Sequence, residues 1–142
     1  MKRKPEIQNE FSLVNFFVLE CNLVMGDQKS SFDSKKFVDE VKFDIRYVED
    51  VDDSFGVEFT VKVKRADGLV NIDLVAAGLF KTASPITEEF KNSSLVNTNA
   101  PAMVFPFVRS YISNLTTLSG YPNILLPTYN FLDTSKYLDE EE

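Results

Sequence analysis

Apolar and polar residues alternate with a period of two through much of the first half of the chain. VKFDIRY (41–47) sets Val41, Phe43, Ile45 and Tyr47 on one face and Lys42, Asp44 and Arg46 on the other, and FGVEFTVKVK (55–64) repeats the alternation. This pattern predicts antiparallel strands with one face in water. Asp67-Gly68, set between KVKRA and LVNIDLV, tolerates left-handed backbone and predicts a tight hairpin that makes the two flanking strands neighbours. Two other segments break the alternation. FSLVNFFVLECNLVM (11–25) is apolar at nearly all its odd positions and also at Val14, Phe16 and Val18. From residue 69 onward, Val70, Ile72, Leu74 and Ala76 face one way, while Leu69, Val75, Ala77 and Leu79 face the other. Two apolar faces imply two covered faces, and a single helical layer covers only one face of a four-stranded sheet. The other face is expected to meet a second chain, with Ile72, Leu74 and Ala76 as the predicted subunit contact. An intrachain sandwich would need strands that the rest of the chain does not supply.

After Phe80 the period lengthens. Ser84-Pro85 followed by Glu88 and Glu89 reads as an N-cap, a first-turn proline and first-turn acids, so a short helix is expected over SPITEEFKNSSL, fading at NTNAP. PAMVFPFVRSYISNLTTLSG (101–120) then places Val104, Val108, Tyr111, Leu115 and Leu118 at helical spacing, widened by Phe105 and Ile112, and Gly120 is the expected left-handed stop. The segment that follows, PNILLPTYNF (122–131), holds three consecutive aliphatic residues between two prolines. Pro122 and Pro127 fix φ and remove two amide donors, so the segment is expected to be extended but outside the sheet ladder. The reading is an α+β fold: a four-stranded antiparallel sheet with a long helix on one side. Residues 11–133 form the domain, 1–10 a flexible N-terminal segment and 134–142 an acidic tail.

Charge and composition narrow the chemistry. The net charge of −7 and pI near 4.7 argue against nucleic acid or an anionic membrane as partner. With one cysteine and no histidine, a disulfide framework, a Cys/His zinc site and His-based acid–base catalysis are all excluded within one chain. The enzymatic candidates that remain are Cys21, Tyr111 with Arg109, and scattered carboxylates. Cys21 reads as an inert thiol in an apolar row. The four acids of EDVDDS (49–54) fit no EF-hand spacing and read as a solvated turn. No phosphate-binding loop is present, and neither metal nor cofactor is expected. MKRK followed by FSLVNFFVLEC imitates a secretory leader, but Glu20 stands where the cleavage site needs a small residue, and Glu6, Glu10 and Asn15 interrupt the rest. A cytoplasmic strand is expected there, with no membrane insertion.

APAMVFPFVRSYISNLTTLSGYPNILLPTYNF (100–131) resembles the C-terminal signature of the SecB family of protein-export chaperones. The matching residues are Phe105-Pro106-Phe107, Arg109, Tyr121-Pro122, Ile124, Leu126 and Asn130-Phe131, and the likeness continues more weakly through AGLFKTAS to the strands. Two departures are visible: Thr128 stands where the family commonly has proline, and the tail is short. The resemblance implies a dimer of dimers that holds unfolded preproteins in apolar grooves without ATP and delivers them to the translocation motor SecA. It implies that Tyr121, Ile124, Leu126, Tyr129 and Phe131 line the client groove, and that Glu20 and Asp73 contribute to an acidic SecA-binding surface. Val24 and Asn71 depart from the family pattern around those acids. A SecB-like chaperone dedicated to one client, such as an antitoxin, and a small apolar-ligand binder are the alternatives.

Overall fold

The computed structural model describes residues 10–25, 36–65, 68 and 70–132. The N-terminal segment up to residue 9 and the acidic tail lie outside the described residues, as do Asp67 of the expected hairpin and Asn71's neighbour Leu69. Four strands, β1 (Phe11–Met25), β2 (Phe37–Tyr47), β3 (Ser54–Arg65) and β4 (Val70–Thr82), form one antiparallel sheet in the order β1-β4-β3-β2. A short helix, α1 (Glu88–Lys91), precedes a long one, α2 (Ser94–Leu118). The β3–β4 connection turns at Gly68, whose φ of 76° is left-handed and whose amide donates to the Arg65 carbonyl.

Register divides the sheet into two chemically different faces. Cross-strand rows such as Phe43–Phe59–Ala76 and Val41–Val61–Leu74 lie beneath α2 and are buried, as the period-two pattern predicts. β1 follows a different rule. Irregularities between Leu13 and Asn15 and between Val18 and Glu20 shift its phase twice. Phe11, Leu13, Phe16, Val18, Cys21 and Leu23 therefore all pack against the core despite their mixed parity. The odd-and-even apolar pattern of this strand arises largely from bulges that keep one face inward, and only in part from a second apolar face.

The short helix begins later, and the long helix earlier, than the sequence pattern suggests. Thr87, not Ser84, caps α1 by accepting from the Phe90 amide, and Phe90 is driven into an aromatic cluster with Phe11, Phe55 and Phe80. Ser93 then caps α2 through the Leu95 amide, so NTNAP is helical and both Pro101 and Pro106 lie inside the helix. Ala100 and Pro101 are buried against the sheet, and that packing offsets the hydrogen bond lost at proline. The buried stripe is Val96, Ala100, Val104, Phe105, Val108, Ile112 and Thr116; Leu118, expected at its end, is 86% exposed. Helix and sheet approach most closely at Gly78, where a Cβ would stand 2.5 Å from Val104 Cγ2 and 2.9 Å from Leu13 Cδ1. Gly120, with φ of 89°, reverses the chain after the C-cap Ser119.

Candidate functional site

From Tyr121 to Leu132 the chain runs back beside α2 as a crossover, packing Phe131 on Phe43 and Phe59 of the sheet without joining its ladder, as the two prolines require. Its backbone is held by side chains of α2. The buried Thr116 hydroxyl donates to the Ile112 carbonyl and accepts from the Ile124 amide. Asn123 donates to Ser113 and Thr117, and Arg109 Nε donates to the Leu126 carbonyl. These bonds fix the phase of the segment: Ile124, Leu126 and Phe131 point inward, while Leu125 and Leu132 stay exposed. This corrects the expected display of all five groove residues. Ile124 and Leu126 are core residues that glue the crossover down, at 4% and 0% exposed, and Phe131 contributes mainly a buried ring. Tyr121 and Tyr129 are half-buried.

An aromatic cleft of about 170 Å³ opens where the crossover meets α2, lined chiefly by Phe105, Pro106, Arg109, Tyr129 and Phe131. Phe105 stands edge-on to Tyr129 at 5.1 Å and to Phe131 at 5.8 Å. The Tyr129 hydroxyl donates to Asp39 Oδ2, which ties the crossover to the edge strand β2. Asp39 interrupts an otherwise apolar inward row of β2, and burial pushes its carboxyl above the usual range. Phe105 and Arg109 were legible only as a helix stripe and a signature residue; their convergence on Tyr129 depends on the crossover. A larger cleft of about 520 Å³ lies at the opposite side of α2, between Leu95, Met103 and the β1–β4 end. Its wall mixes Glu10, Ser12, Lys81 and Asn99 with apolar groups, so it lacks the aromatic lining of the crossover cleft.

The second candidate surface is the open face of the sheet. Here the structure reverses an expectation: Ile72, Leu74 and Ala76 are 0–1% exposed beneath α2 and cannot touch a second protomer. The outward row of β4 is instead Asn71, Asp73, Val75, Ala77 and Leu79. The two-face pattern of this strand was sound, but periodicity alone does not say which face the helix covers. On the β1–β4 half of the open side, Val14, Phe17, Leu19, Val24 and Leu79 are 39–55% exposed, whereas β3 and β2 present Lys62, Lys64, Glu40, Lys42 and Arg46. Glu20 pairs across from Val75 and Asp73 from Asn22, so both acids lie exposed on this face in adjacent rows. Lys62 faces Asp73 from the other side and dilutes the acidic patch.

Cys21 lies half-buried on the inward row. Burial, and then a hydrogen bond to Cys21, push the Tyr111 hydroxyl above its ordinary range, an arrangement that stabilises the neutral phenol and not a nucleophile. Among the described residues, no helix is long and apolar enough to cross a membrane, and no three acidic, His or Cys side chains gather as a metal site.

The family model for preprotein translocase subunit SecB matches residues 4–137. The protein-export protein SecB of Neorickettsia sennetsu is 27% identical over 146 aligned positions, covering 99% of this chain and 71% of that protein. The protein-export protein SecB of Brucella ovis is 31% identical over 80 positions, 54% of this chain and 48% of that one. Among solved structures, the SecB-like chaperone of Mycobacterium tuberculosis, in complex with a ChAD peptide from an antitoxin, superposes with a TM-score of 0.67 at 15% identity. That superposition covers 84% of this chain and 88% of the other, and it shares the sheet and long helix described above.

Proposed function

The chain belongs to the SecB family of preprotein translocase subunits, and from that premise we propose that it is an ATP-independent holdase that keeps unfolded preproteins competent for export. Family membership gives it a chaperone role in protein export, in a family that is not enzymatic. The observation that carries the holding function is the aromatic cleft between α2 and the crossover, with Leu125 and Leu132 exposed on the same segment. Prolines and side-chain bonds fix this surface before a client arrives, so little ordering cost falls on binding. In this reading Tyr129 touches clients, the buried rings of Phe105 and Phe131 back the cleft, Tyr121 borders it, and Ile124 and Leu126 hold the segment in place. A denatured client diluted into the protein without nucleotide is expected to co-elute with it in size exclusion; a client that elutes only as aggregate rejects the reading.

Assembly and delivery belong to the same proposal. The apolar half of the open face, together with exposed Leu95, Met103 and Phe107 on α2, suits contacts with further copies of the chain, as in a dimer of dimers. Glu20 and Asp73 supply an acidic patch for SecA, with the protein working in the cytoplasm. Charges at such a rim govern association rate and salt dependence more than total affinity. Glu20→Gln combined with Asp73→Asn is therefore expected to weaken SecA binding several-fold while client holding persists, and wild-type affinity falls as salt rises. Titration calorimetry reads this directly, and a wild type that shows no heat of binding at low salt removes SecA as the recipient.

A client-dedicated role, such as antitoxin protection, is the second reading. The observation that favours it is the fold shared with the mycobacterial SecB-like chaperone, and Val24 and Asn71 further thin the acidic patch beside Glu20 and Asp73. Sequencing the polypeptides that co-purify separates one bound client from many. The small-ligand alternative is weaker, because the aromatic cleft, at about 170 Å³, lies below the few hundred cubic ångströms of ordinary ligand pockets, and the larger cleft of about 520 Å³ has a wall of mixed charged, polar and apolar groups.

A further inference from the structure

We infer that Asp39 is a positioning residue for the crossover cleft: from the edge strand β2 it holds the Tyr129 ring in the cleft wall, and client affinity depends on that hold. The inference deepens the holding function proposed for this cleft and rests on it. One wall of the cleft belongs to α2, at Phe105, Pro106 and Arg109, and the other to the end of the crossover, at Tyr129 and Phe131. Phe105 and Phe131 are buried and fixed by core packing. The first half of the crossover is fastened to α2, through Thr116 at the Ile124 amide and through Arg109 at the Leu126 carbonyl. Tyr129 lies beyond Pro127, half-buried on a stretch without regular secondary structure, and its hydroxyl donates to Asp39 Oδ2. That bond spans 90 positions of the chain and attaches this part of the cleft wall to the sheet instead of the helix.

Asp39 stands on the inward row of β2 between Phe37 and Val41, across from Val63. A carboxylate in such a row loses water and costs stability unless a donor reaches it. Burial does push this carboxyl above its usual range, and among the described residues no lysine or arginine forms an ion pair with it. An apolar side chain would continue the row; the acid instead meets the Tyr129 hydroxyl. With its far end held, the Tyr129 ring stands edge-on to Phe105 at 5.1 Å and presents a fixed surface before a client arrives. Without that hold the ring turns about its side-chain dihedrals and has to be ordered at the moment of binding, at a cost in rotamer entropy.

The test is a double-substitution cycle in the full chain. The probe is a fluorescein-labelled polypeptide kept unfolded by reduction and carboxymethylation of its cysteines, and binding is read by anisotropy. Tyr129→Phe, which keeps the ring and loses the hydroxyl, and Asp39→Leu, which loses the acceptor, are each expected to weaken binding on the order of fivefold. The two together are expected to weaken it by that same factor and not by its square, because both remove one interaction. Asp39→Asn keeps a carbonyl acceptor and is expected to recover most of the affinity, a rescue that a loss of general stability would not track. If circular dichroism shows that Asp39→Leu does not fold, Tyr129→Phe and Asp39→Asn carry the test. Wild-type affinity in Tyr129→Phe, losses that multiply in the double variant, or Asp39→Asn binding no better than Tyr129→Phe overturns the inference. Any of these results beside a wild type that binds the probe overturns the inference alone, whereas a wild type that does not bind the unfolded probe overturns the holding function with it.

Discussion

Leu74→Asp is expected to leave no folded protomer. Leu74 is fully buried on the central strand β4, in a cross-strand row with Val61 and Cys21 beneath α2. The substitution removes the packing of a core leucine, which costs about 2–5 kcal/mol. It also places a carboxylate among apolar neighbours, which costs several kcal/mol more or forces the acid to stay protonated. Together these approach the whole stability of a domain of this size, about 5–15 kcal/mol. Circular dichroism and urea titration are expected to show an unfolded chain at neutral pH. A folded variant that merely changes its mass would mean that this row faces outward and that the helix covers the other side.

The second large effect concerns assembly. Phe17→Glu combined with Leu79→Glu is expected to yield a folded single protomer from a larger assembly. Both residues lie on the open face, at 39% and 40% exposed, so charges there reach water in a lone protomer and the fold survives. Between two copies the same charges would be buried without partners. Multi-angle light scattering of the wild type is expected to give a multiple of 16.1 kDa, and the variant a single protomer with unchanged circular dichroism. A wild type that runs as one protomer would leave the apolar half of this face without its proposed occupant.

The strands of the first half were largely legible because their alternation matches one buried and one wet face. β2 and β3 could be oriented residue by residue, from Val41 to Tyr47 and from Phe55 to Val63. β1 could not, because its bulges near Val14 and Leu19 have no local signature and convert mixed parity into a single inward row. β4 showed both its faces but not which one the helix covers; that choice is made by long-range contacts such as Val104 on Gly78. The start of α2 was hidden by Pro101, since sequence rules weigh a proline in NTNAP as a stop, and the caps at Thr87 and Ser93 together with burial decide otherwise. In the candidate site, the extended crossover was readable from its two prolines. Its phase was not, because Thr116, Asn123 and Arg109 set it through bonds between positions 6 to 17 residues apart. Ile124 and Leu126 therefore became core, and Phe105 and Arg109 became walls of the cleft.

Light scattering of a client refolding from denaturant, in the absence of nucleotide, tests the central claim most directly. A molar excess of the wild type is expected to suppress the rise in turbidity, and Phe105→Ser, which opens the aromatic wall, to suppress it less at equal concentration. Undiminished aggregation in the presence of excess folded wild type would contradict the account.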